Sequence, residues 1–366
     1  MPLHNVTVED SSPIVVYRNY SQWIDSLNNA PDYSQYSGPS KGFNSNHNTS
    51  EVATVDFAFN GSAIYVFGST GPNHGAFTAS LIPNNNFAPV ADYSLAPANS
   101  IENTTSTSFS NETKYKQVLF SQTGLDQSVP HLLSLTNSGE GLFILDYFIV
   151  ETDYQGTGSS IAEYILDDTN LRFSYNGNWT SDNAGEKSEA ELEFQDLFYN
   201  KTGHFTGVKG GNTVFRFNGS GVAVHGLWSY GAFIATLDDQ EPVPINNTNR
   251  PLGAIYNRPG ELIYYAENLG EKEHMLTLVN QQPMQFGGLD IDYAVITTTN
   301  LDSVPKGINI TSSNSPSGST TGSNGNSTVT THNNGSLSNN HGAAAGSMIA
   351  LLFMFFQILH LLPSRR

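Results

Sequence analysis

The sequence contains no cysteine, so disulfide bonds, thiolate chemistry and cysteine-based zinc sites are all excluded. Basic residues are scarce as well: 15 Lys and Arg stand against 33 Asp and Glu, giving a net charge of -18. That charge repels phosphate groups and excludes nucleic acid as a partner. Stability must come from packed apolar surface, and a chain of 366 residues with 38% hydrophobic content can supply it.

The start of the chain lacks the cationic region and the apolar run of a secretory signal. We interpret the sequence as beginning downstream of a missing signal, because thirteen Asn-x-Ser/Thr sequons indicate a secreted glycoprotein. The alternative is an authentic first methionine, and then the protein faces the cytosol and the sequons carry no sugar. The sequons lie at Asn5, Asn19, Asn48, Asn60, Asn103, Asn111, Asn178, Asn200, Asn218, Asn246, Asn309, Asn326 and Asn334.

Two halves of the chain repeat one pattern at an offset of 158 residues. The first copy, FNGSAIYVFGSTGPNHGAF, begins at Phe59, and the second, FNGSGVAVHGLWSYGAF, begins at Phe217. The same offset carries Gly68 to Gly226, and the later segments HLLSLTN and HMLTLVN also correspond. A constant register over about 50 residues is typical of a duplicated module.

Apolar residues alternate with polar ones along short segments, for example at Val55, Phe57 and Phe59. This period of two predicts strands with one buried face. Gly, Asn, Pro and Asp separate the segments, and a helical period is suggested only near SEAELEFQDLF. The sequence therefore predicts an all-β protein with two tandem jelly-roll β-sandwich domains, at residues 1–153 and 160–300.

The composition changes near residue 300. Within residues 311–340, 26 of 30 residues are Ser, Thr, Asn or Gly, which predicts a disordered stalk over 301–342. An apolar tail follows at 343–366, and its stretch 343–362 is long enough to cross a bilayer as a helix. It predicts membrane attachment, either as a transmembrane helix or as a GPI signal with Asn334 as the attachment site. We favour the GPI signal, since almost nothing follows the apolar stretch.

These features together resemble a known family. The quoted loop segment, the HxLxLxN strand, the Asp-Tyr pair of the last strand, the stalk and the tail are similar to fungal cell-surface proteins with galactose-binding-like jelly-roll domains. The resemblance covers nearly the whole chain and implies the fold of many carbohydrate-binding modules. Relatives usually start with a signal peptide, and this sequence differs from them there.

Sequence motifs of catalysis are not evident. The chain has no close pair of histidine ligands, no Gly-x-Ser-x-Gly elbow and no phosphate-binding or dinucleotide-binding loop. Neighbouring carboxylates along a strand point to opposite faces, so we interpret three acidic pairs as solvated turn and edge residues rather than acid/base catalysts. We therefore expect no enzyme and no cofactor. The acidic pairs are Asp167 with Asp168, Asp238 with Asp239, and Asp290 with Asp292.

A structural calcium site is the one metal site that we consider. Glu9 and Asp10 in the first strand correspond to Asp167 and Asp168, and Asp146 and Asp292 lie in the closing strands, which often neighbour the first strands in such sandwiches. Carboxylate oxygens suit Ca²⁺, and the modules that the chain resembles often hold calcium there. The alternative is hydrogen-bonded strand-end carboxylates, because Ca²⁺ needs about six to eight oxygens and each half offers fewer.

The loop of the repeated segment is the better candidate for ligand binding. Asn73 and His74 lie at its tip in the first half, and Trp228 and Tyr230 replace them in the second. Aromatic faces pack on the C–H surfaces of sugars, and polar side chains bond their hydroxyl groups. We predict these four residues as ligand contacts.

Four other residues are predicted to be structural. His131 and His274 open the same strand of each half, where a hydrogen-bonded structural role is expected. Trp23 and Trp179 each follow a Tyr near the start of a half and are predicted to anchor the core.

Together these patterns predict a non-enzymatic, membrane-anchored glycoprotein at the cell surface. Its two sandwiches would bind carbohydrate, such as cell-wall glycans, or a surface partner. Two alternatives remain: a carbohydrate-active enzyme, which needs convergent carboxylates, and a purely structural wall or surface coat. The sequence makes no prediction about oligomeric state.

Overall fold

In a computed structural model, β-strands and short turns build the described part of the chain. Its 3-10 helices are single turns at Tyr20–Gln22, Tyr199–Lys201 and Leu301–Ser303. The described residues are 2–25, 35–36, 43–46, 52–83, 101–106, 112–138, 141–154, 160–181, 197–227, 232–246, 260–282, 288–308 and 310–313.

The first half forms one β-sandwich. One sheet has the order β3-β4-β11-β6-β9, with β1 also paired to β11, and the other has the order β2-β5-β10-β7-β8. All pairs between these strands are antiparallel. The strands are β1 Leu3–Glu9, β2 Val15–Arg18, β3 Trp23–Asp25, β4 Phe43–Asn46, β5 Thr54–Phe59, β6 Ala63–Thr70, β7 Ala76–Pro83, β8 Ile101–Ser106, β9 Lys114–Thr123, β10 His131–Asn137 and β11 Leu142–Asp153.

The second half repeats this sandwich. Its sheets have the orders β20-β17-β23-β12-β24 and β13-β16-β21-β18-β19, and a small sheet, β14-β15-β22, lies beside them. The strands are β12 Ile161–Asp167, β13 Phe173–Asn176, β14 Thr180–Ser181, β15 His204–Thr206, β16 Asn212–Gly219, β17 Gly221–Gly226, β18 Ala232–Leu237, β19 Val243–Asn246, β20 Glu261–Ala266, β21 Lys272–Asn280, β22 Leu289–Ile291, β23 Tyr293–Thr298 and β24 Ile310–Ser313.

Each sandwich has its own hydrophobic core, as the repeat predicts. Val55, Phe57 and Phe59 of β5 are all buried, which confirms the period of two. Phe57 packs against Phe148 of the facing sheet, with ring centroids 4.7 Å apart. A buried aromatic side chain of this kind contributes about 1.5–3 kcal/mol to stability. The two cores confirm the all-β, tandem jelly-roll architecture.

The second sandwich extends beyond the boundary predicted at residue 300. β24 pairs with β12 in the register Ile161↔Ser313 to Tyr164↔Ile310, so residues assigned to the stalk complete a sheet. Val304 and Ile308 also pack against the second core. Composition missed this strand because its few β-branched residues precede a long polar run directly.

The predicted membrane tail at 343–366 and the predicted helix near SEAELEFQDLF lie outside or almost entirely outside the described residues. Within the described ranges, no helix is long and apolar enough to span a membrane.

Candidate functional site

The two halves place a pair of buried aspartates at equivalent points. The backbone N–H of Asp10 donates to the carbonyl of Asp146 at 3.0 Å, and that of Asp168 donates to the carbonyl of Asp292 at 2.9 Å. The pairing of β1 with β11 and of β12 with β23 confirms that first and last strands are neighbours. All four aspartates have 0% exposure. The fold therefore brings together the residues named for the calcium site.

In the second sandwich, protein donors hold the Asp168 carboxylate. The hydroxyl of Thr202 donates to Oδ1 at 2.6 Å, and Nδ1 of His204 lies 2.5 Å from Oδ2. The His204 ring stacks on Tyr175 with centroids 4.1 Å apart, and the Tyr175 hydroxyl donates to the Asp168 carbonyl at 2.8 Å. Burial and nearby carboxylates raise the pKa of Tyr175, so this hydroxyl stays a donor.

The Asp292 carboxylate has fewer partners. Its Oδ1 accepts the backbone N–H of Tyr199 at 2.9 Å, whereas Oδ2 is buried with no hydrogen-bond partner among the described residues. Burial raises the pKa of Asp292 to about 8, and the negative charges of Asp168 and Asp167 act in the same direction. Asp292 is therefore largely protonated at neutral pH, beside a carboxylate that accepts two hydrogen bonds.

Aromatic side chains with exposed surface border this acidic pair. Tyr199, which is 37% exposed, is held beside Asp292 by its backbone bond, and its ring lies 5.2 Å from Tyr293. Trp179 is half-buried and lies 4.9 Å from Tyr175, which in turn stacks on His204. We call Tyr175, Trp179, Tyr199, His204 and Tyr293 the aromatic rim of the second sandwich.

The structure corrects the prediction that Asp168, Asp290 and Asp292 are solvated. They are at most 1% exposed, because each lies where a strand end of one sheet is covered by neighbouring segments. The closing strands β22 and β23 and the first strand β12 converge there. Asp168 is thus clustered with Asp290 and Asp292, although it is more than 120 residues away from them in the sequence.

Of the two residues predicted as ligand contacts in the loop of the first half, one is buried and the other is exposed. His74 is 6% exposed, its Nε2 lies 2.8 Å from the Ser69 hydroxyl, and burial lowers its pKa. It therefore supports the loop from inside rather than standing at its tip. Asn73 is exposed and its carbonyl accepts the Leu142 N–H at 2.8 Å. Trp228 and Tyr230 lie outside the described residues.

The structural roles predicted for two histidines are confirmed. His131 is 5% exposed with Nε2 3.0 Å from the Asp126 carbonyl, and His274 is 2% exposed between Asp238 and the Gly270 carbonyl. The tryptophans differ from each other. Trp23 is a core residue at 0% exposure, whereas Trp179 packs against the second core and keeps part of its surface exposed.

A calcium ion fits the aspartate pair of the second sandwich poorly. Both oxygens of Asp168 already accept bonds from Thr202 and His204. Over the described ranges, no group of three or more His, Asp or Glu side chains is arranged to hold a metal ion. For Asp168, the structure shows the alternative, a hydrogen-bonded carboxylate at a strand end.

The sequons differ in exposure. Asn5, Asn19, Asn178 and Asn200 are exposed, and Asn60 and Asn218 are half-buried. An attached glycan requires an asparagine side chain that is exposed to solvent. The other sequons have no described side chain: Asn48, Asn103, Asn111, Asn246, Asn309, Asn326 and Asn334.

Fold and site together define a tandem jelly-roll β-sandwich protein with an acidic cluster and an aromatic rim on its second domain. No protein-family model and no curated protein matches the sequence.

Among solved structures, the chain is similar to the N-terminal CBM22-1–CBM22-2 tandem domain of Xyn10C from Paenibacillus barcinonensis. The identity is 8% and the TM-score 0.27, over 84% of this chain and 97% of that one. It is also similar to a family two carbohydrate esterase from Cellvibrio japonicus, at 10% identity and TM-score 0.26 over 38% of this chain. The chain spans only 34% of that esterase. An allantoicase from Saccharomyces cerevisiae matches at 10% identity and TM-score 0.24, over 80% of this chain and 93% of that one.

Proposed function

We propose that the protein is a non-enzymatic, membrane-anchored glycoprotein of the cell surface that binds carbohydrate through the aromatic rim of its second sandwich. The supporting observation is the arrangement of Tyr199, Trp179 and His204 around the buried pair Asp168 and Asp292. Sugar rings present C–H faces to aromatic rings and hydroxyl groups to polar side chains, and the rim offers both. Buried carboxylates beneath it fix the positions of the Tyr199 backbone and the His204 ring.

Removing an exposed ring should weaken glycan binding. A glycan array probed with the full chain identifies the ligand, and titration calorimetry then compares Tyr199→Ala and Trp179→Ala with the unchanged protein. We expect about a tenfold loss of affinity for each, because a stacked ring contributes about 1–1.5 kcal/mol. Tyr20→Ala is the matched control, since Tyr20 is 42% exposed in the first sandwich and lies away from the rim.

Two results would count against this part of the proposal. A blank array at high protein concentration removes carbohydrate binding, and unchanged affinity of both rim variants places the binding surface elsewhere. In the latter case Asn73, Trp228 and Tyr230 of the repeated loops are the next variants to compare.

The converging carboxylates favour one second candidate, a carbohydrate-active enzyme. Asp292, whose pKa burial raises to about 8, lies beside the hydrogen-bonded carboxylate of Asp168, and an acid/base mechanism uses two neighbouring carboxyl groups of this kind. Their burial argues against it, since a substrate cannot reach side chains with 0% exposure. Turnover of glycan substrates that is abolished in a folded Asp292→Asn protein would establish the enzyme.

The location of the protein is the other half of the proposal. The sequons and the apolar tail support a glycosylated protein anchored through GPI at Asn334. We expect glycosidase digestion of the native protein to increase its mobility, and a phosphatidylinositol-specific phospholipase C to release it from cells. Unchanged mobility would contradict the secretory route, and retention on treated cells would replace the GPI anchor with a transmembrane helix.

A further inference from the structure

The two sandwiches contact each other through one turn and one sheet face, and His4 and Tyr154 of the first sandwich also contact Glu163 and Glu267 of the second. The turn at residues 10–14 of the first sandwich lies against β20 of the second. Ser11 donates to Oε1 of Glu261 at 2.7 Å, and Ser12 donates to the carbonyl of Leu262 at 2.5 Å. Leu262 is 4% exposed and belongs to the first core, while Ile14 packs against both cores. We call this contact the internal interface.

The second sandwich carries a copy of the turn. In the first, Ser12 N–H donates to the Glu9 carbonyl and Val15 N–H to the Ser12 carbonyl. In the second, Asn170 N–H donates to the Asp167 carbonyl and Phe173 N–H to the Asn170 carbonyl, at the offset of 158 residues. The backbone of the two turns is therefore the same.

The surroundings of the two turns differ. Pro13 is buried inside the internal interface, whereas Leu171, at the same position of the copied turn at residues 168–172, is 97% exposed. A fully exposed leucine at the tip of a rigid turn is an apolar surface without a cover among the described residues.

The first sandwich carries a copy of the sheet face. Phe67 pairs with Val118 and Gly68 with Gln117, as His225 pairs with Leu262 and Gly226 with Glu261. Val118 thus occupies the position of Leu262, yet it is 54% exposed where Leu262 is 4% exposed. Beside it, Phe67 stacks on Tyr147 with centroids 4.5 Å apart and keeps part of its surface exposed.

The copies keep part of the chemistry of the contact: polar side chains recur, whereas Ile14 is replaced by Arg172 and His4 by Ala162. Thr169 and Asn170 carry polar side chains at the positions of Ser11 and Ser12, and the Thr169 hydroxyl donates to Oδ2 of Asp167 in its own turn. Gln117 retains an amide oxygen at the position of Glu261, and its amide nitrogen donates to the Tyr115 carbonyl at 2.8 Å. An exposed apolar side chain stands on both surfaces, Leu171 on the turn and Val118 on the face.

We infer that the copied turn of one molecule docks on the Val118 face of a second copy of this chain, repeating the internal interface between molecules. Because the turn and the face are different surfaces, the contact is heterologous, and each added copy leaves one free turn and one free face. Association therefore continues beyond a dimer. On a membrane, it would align sandwiches of neighbouring molecules into rows.

One exposed sequon lies on the same face. Asn5 occupies the position of Glu163, which His4 contacts at 2.8 Å in the internal interface. A glycan on Asn5 would obstruct the docking turn, so the docking concerns molecules in which Asn5 carries no glycan, and all proteins in the test carry Asn5→Gln to keep Asn5 in that state.

The cysteine-free chain allows a direct cross-linking test. Asn170→Cys and Val118→Cys are made in separate full-length proteins, because the equivalent residues Ser12 and Leu262 are in contact. Mild oxidation of an equimolar mixture should form the mixed disulfide dimer at least tenfold faster than either protein forms its own dimer. The matched control replaces Val118→Cys with Leu301→Cys, another exposed apolar position at 54% exposure. Equal rates for the control pair would overturn the proposal.

Sedimentation velocity in a detergent that disperses the apolar tail tests the direction of assembly. The mass of the Asn5→Gln protein should rise with concentration without stopping at a dimer. Leu171→Asp and Val118→Asp should each stay at the lowest mass, and their equimolar mixture should form only dimers. A mass that is independent of concentration, or a variant that associates fully, would refute head-to-tail docking. Far-ultraviolet circular dichroism confirms that both variants are folded.

Discussion

Asp292→Asn should melt at a higher temperature than the unchanged protein at pH 8, by about 6–12 °C. The pKa of Asp292 rises from 3.8 to about 8 on folding, so the folded state favours the protonated side chain. The resulting stability is fully present below about pH 3.8 and is lost as the pH rises towards 8. Asparagine is neutral at every pH, keeps an oxygen for the Tyr199 N–H and avoids the charge of Asp168. A rise of the pKa from 3.8 to about 8 is worth roughly 5 kcal/mol at pH 8, and we expect a gain of about 3 kcal/mol because rearrangement around the ionised carboxylate relieves part of that cost.

Thermal melts at pH 4, 6 and 8 measure this effect. The unchanged protein should lose stability between pH 4 and 8 by more than the variant does, and the difference between the two should vanish near pH 4. Asp239→Asn is the matched control, because Asp239 is an exposed carboxylate of the same sandwich. If Asp292→Asn instead lowers the melting temperature at pH 8, the charged carboxylate is stabilised, and a bound cation such as Ca²⁺ becomes the explanation to test.

Gly226→Ala and Gly68→Ala should each destabilise their sandwich by at least about 3 kcal/mol. A Cβ at Gly226 would overlap the carbonyl oxygen of Asp290, and one at Gly68 would overlap that of Ile144. Backbone atoms inside a sheet cannot move aside as a flexible side chain can. A glycine is therefore required at the same point of both copies, where β6 and β17 lie beside the closing strands.

The yield of folded protein and thermal melts report this loss. Gly270→Ala is the control: its φ of +83° is unfavourable for alanine, but no atom lies within 4 Å of the added carbon. Strain of that kind alone costs about 1–2 kcal/mol. A Gly226→Ala protein as stable as the control would contradict the close approach of β17 to Asp290.

The sequence predicted features that depend on local pattern. The alternation at Val55, Phe57 and Phe59 indicated a buried strand face, and the 158-residue repeat indicated two sandwiches. The recurrence of His131 and His274 at the start of one strand indicated a structural role, which their hydrogen bonds confirm.

The candidate site was only partly predictable. Asp168 and Asp292 were named because the repeat marks first and last strands. Tyr199, Thr202 and His204 were missed. They come from the segment before β15 and from its first residue, where the sequon at Asn200 indicates glycosylation rather than a binding site. Only the tertiary fold brings them to Asp168 and Asp292.

The sequence by itself determined the duplicated β-scaffold, since strand formation and the choice of buried face depend on neighbours along the chain. Tertiary structure alone decided which of two equivalent surfaces is buried. Leu262 and Val118 hold the same place in their sandwiches, but a turn covers only Leu262. That difference arises because the two sandwiches are joined in a single chain. The turn of the first sandwich covers the sheet face of the second, whereas the equivalent face of the first sandwich carries the exposed Val118.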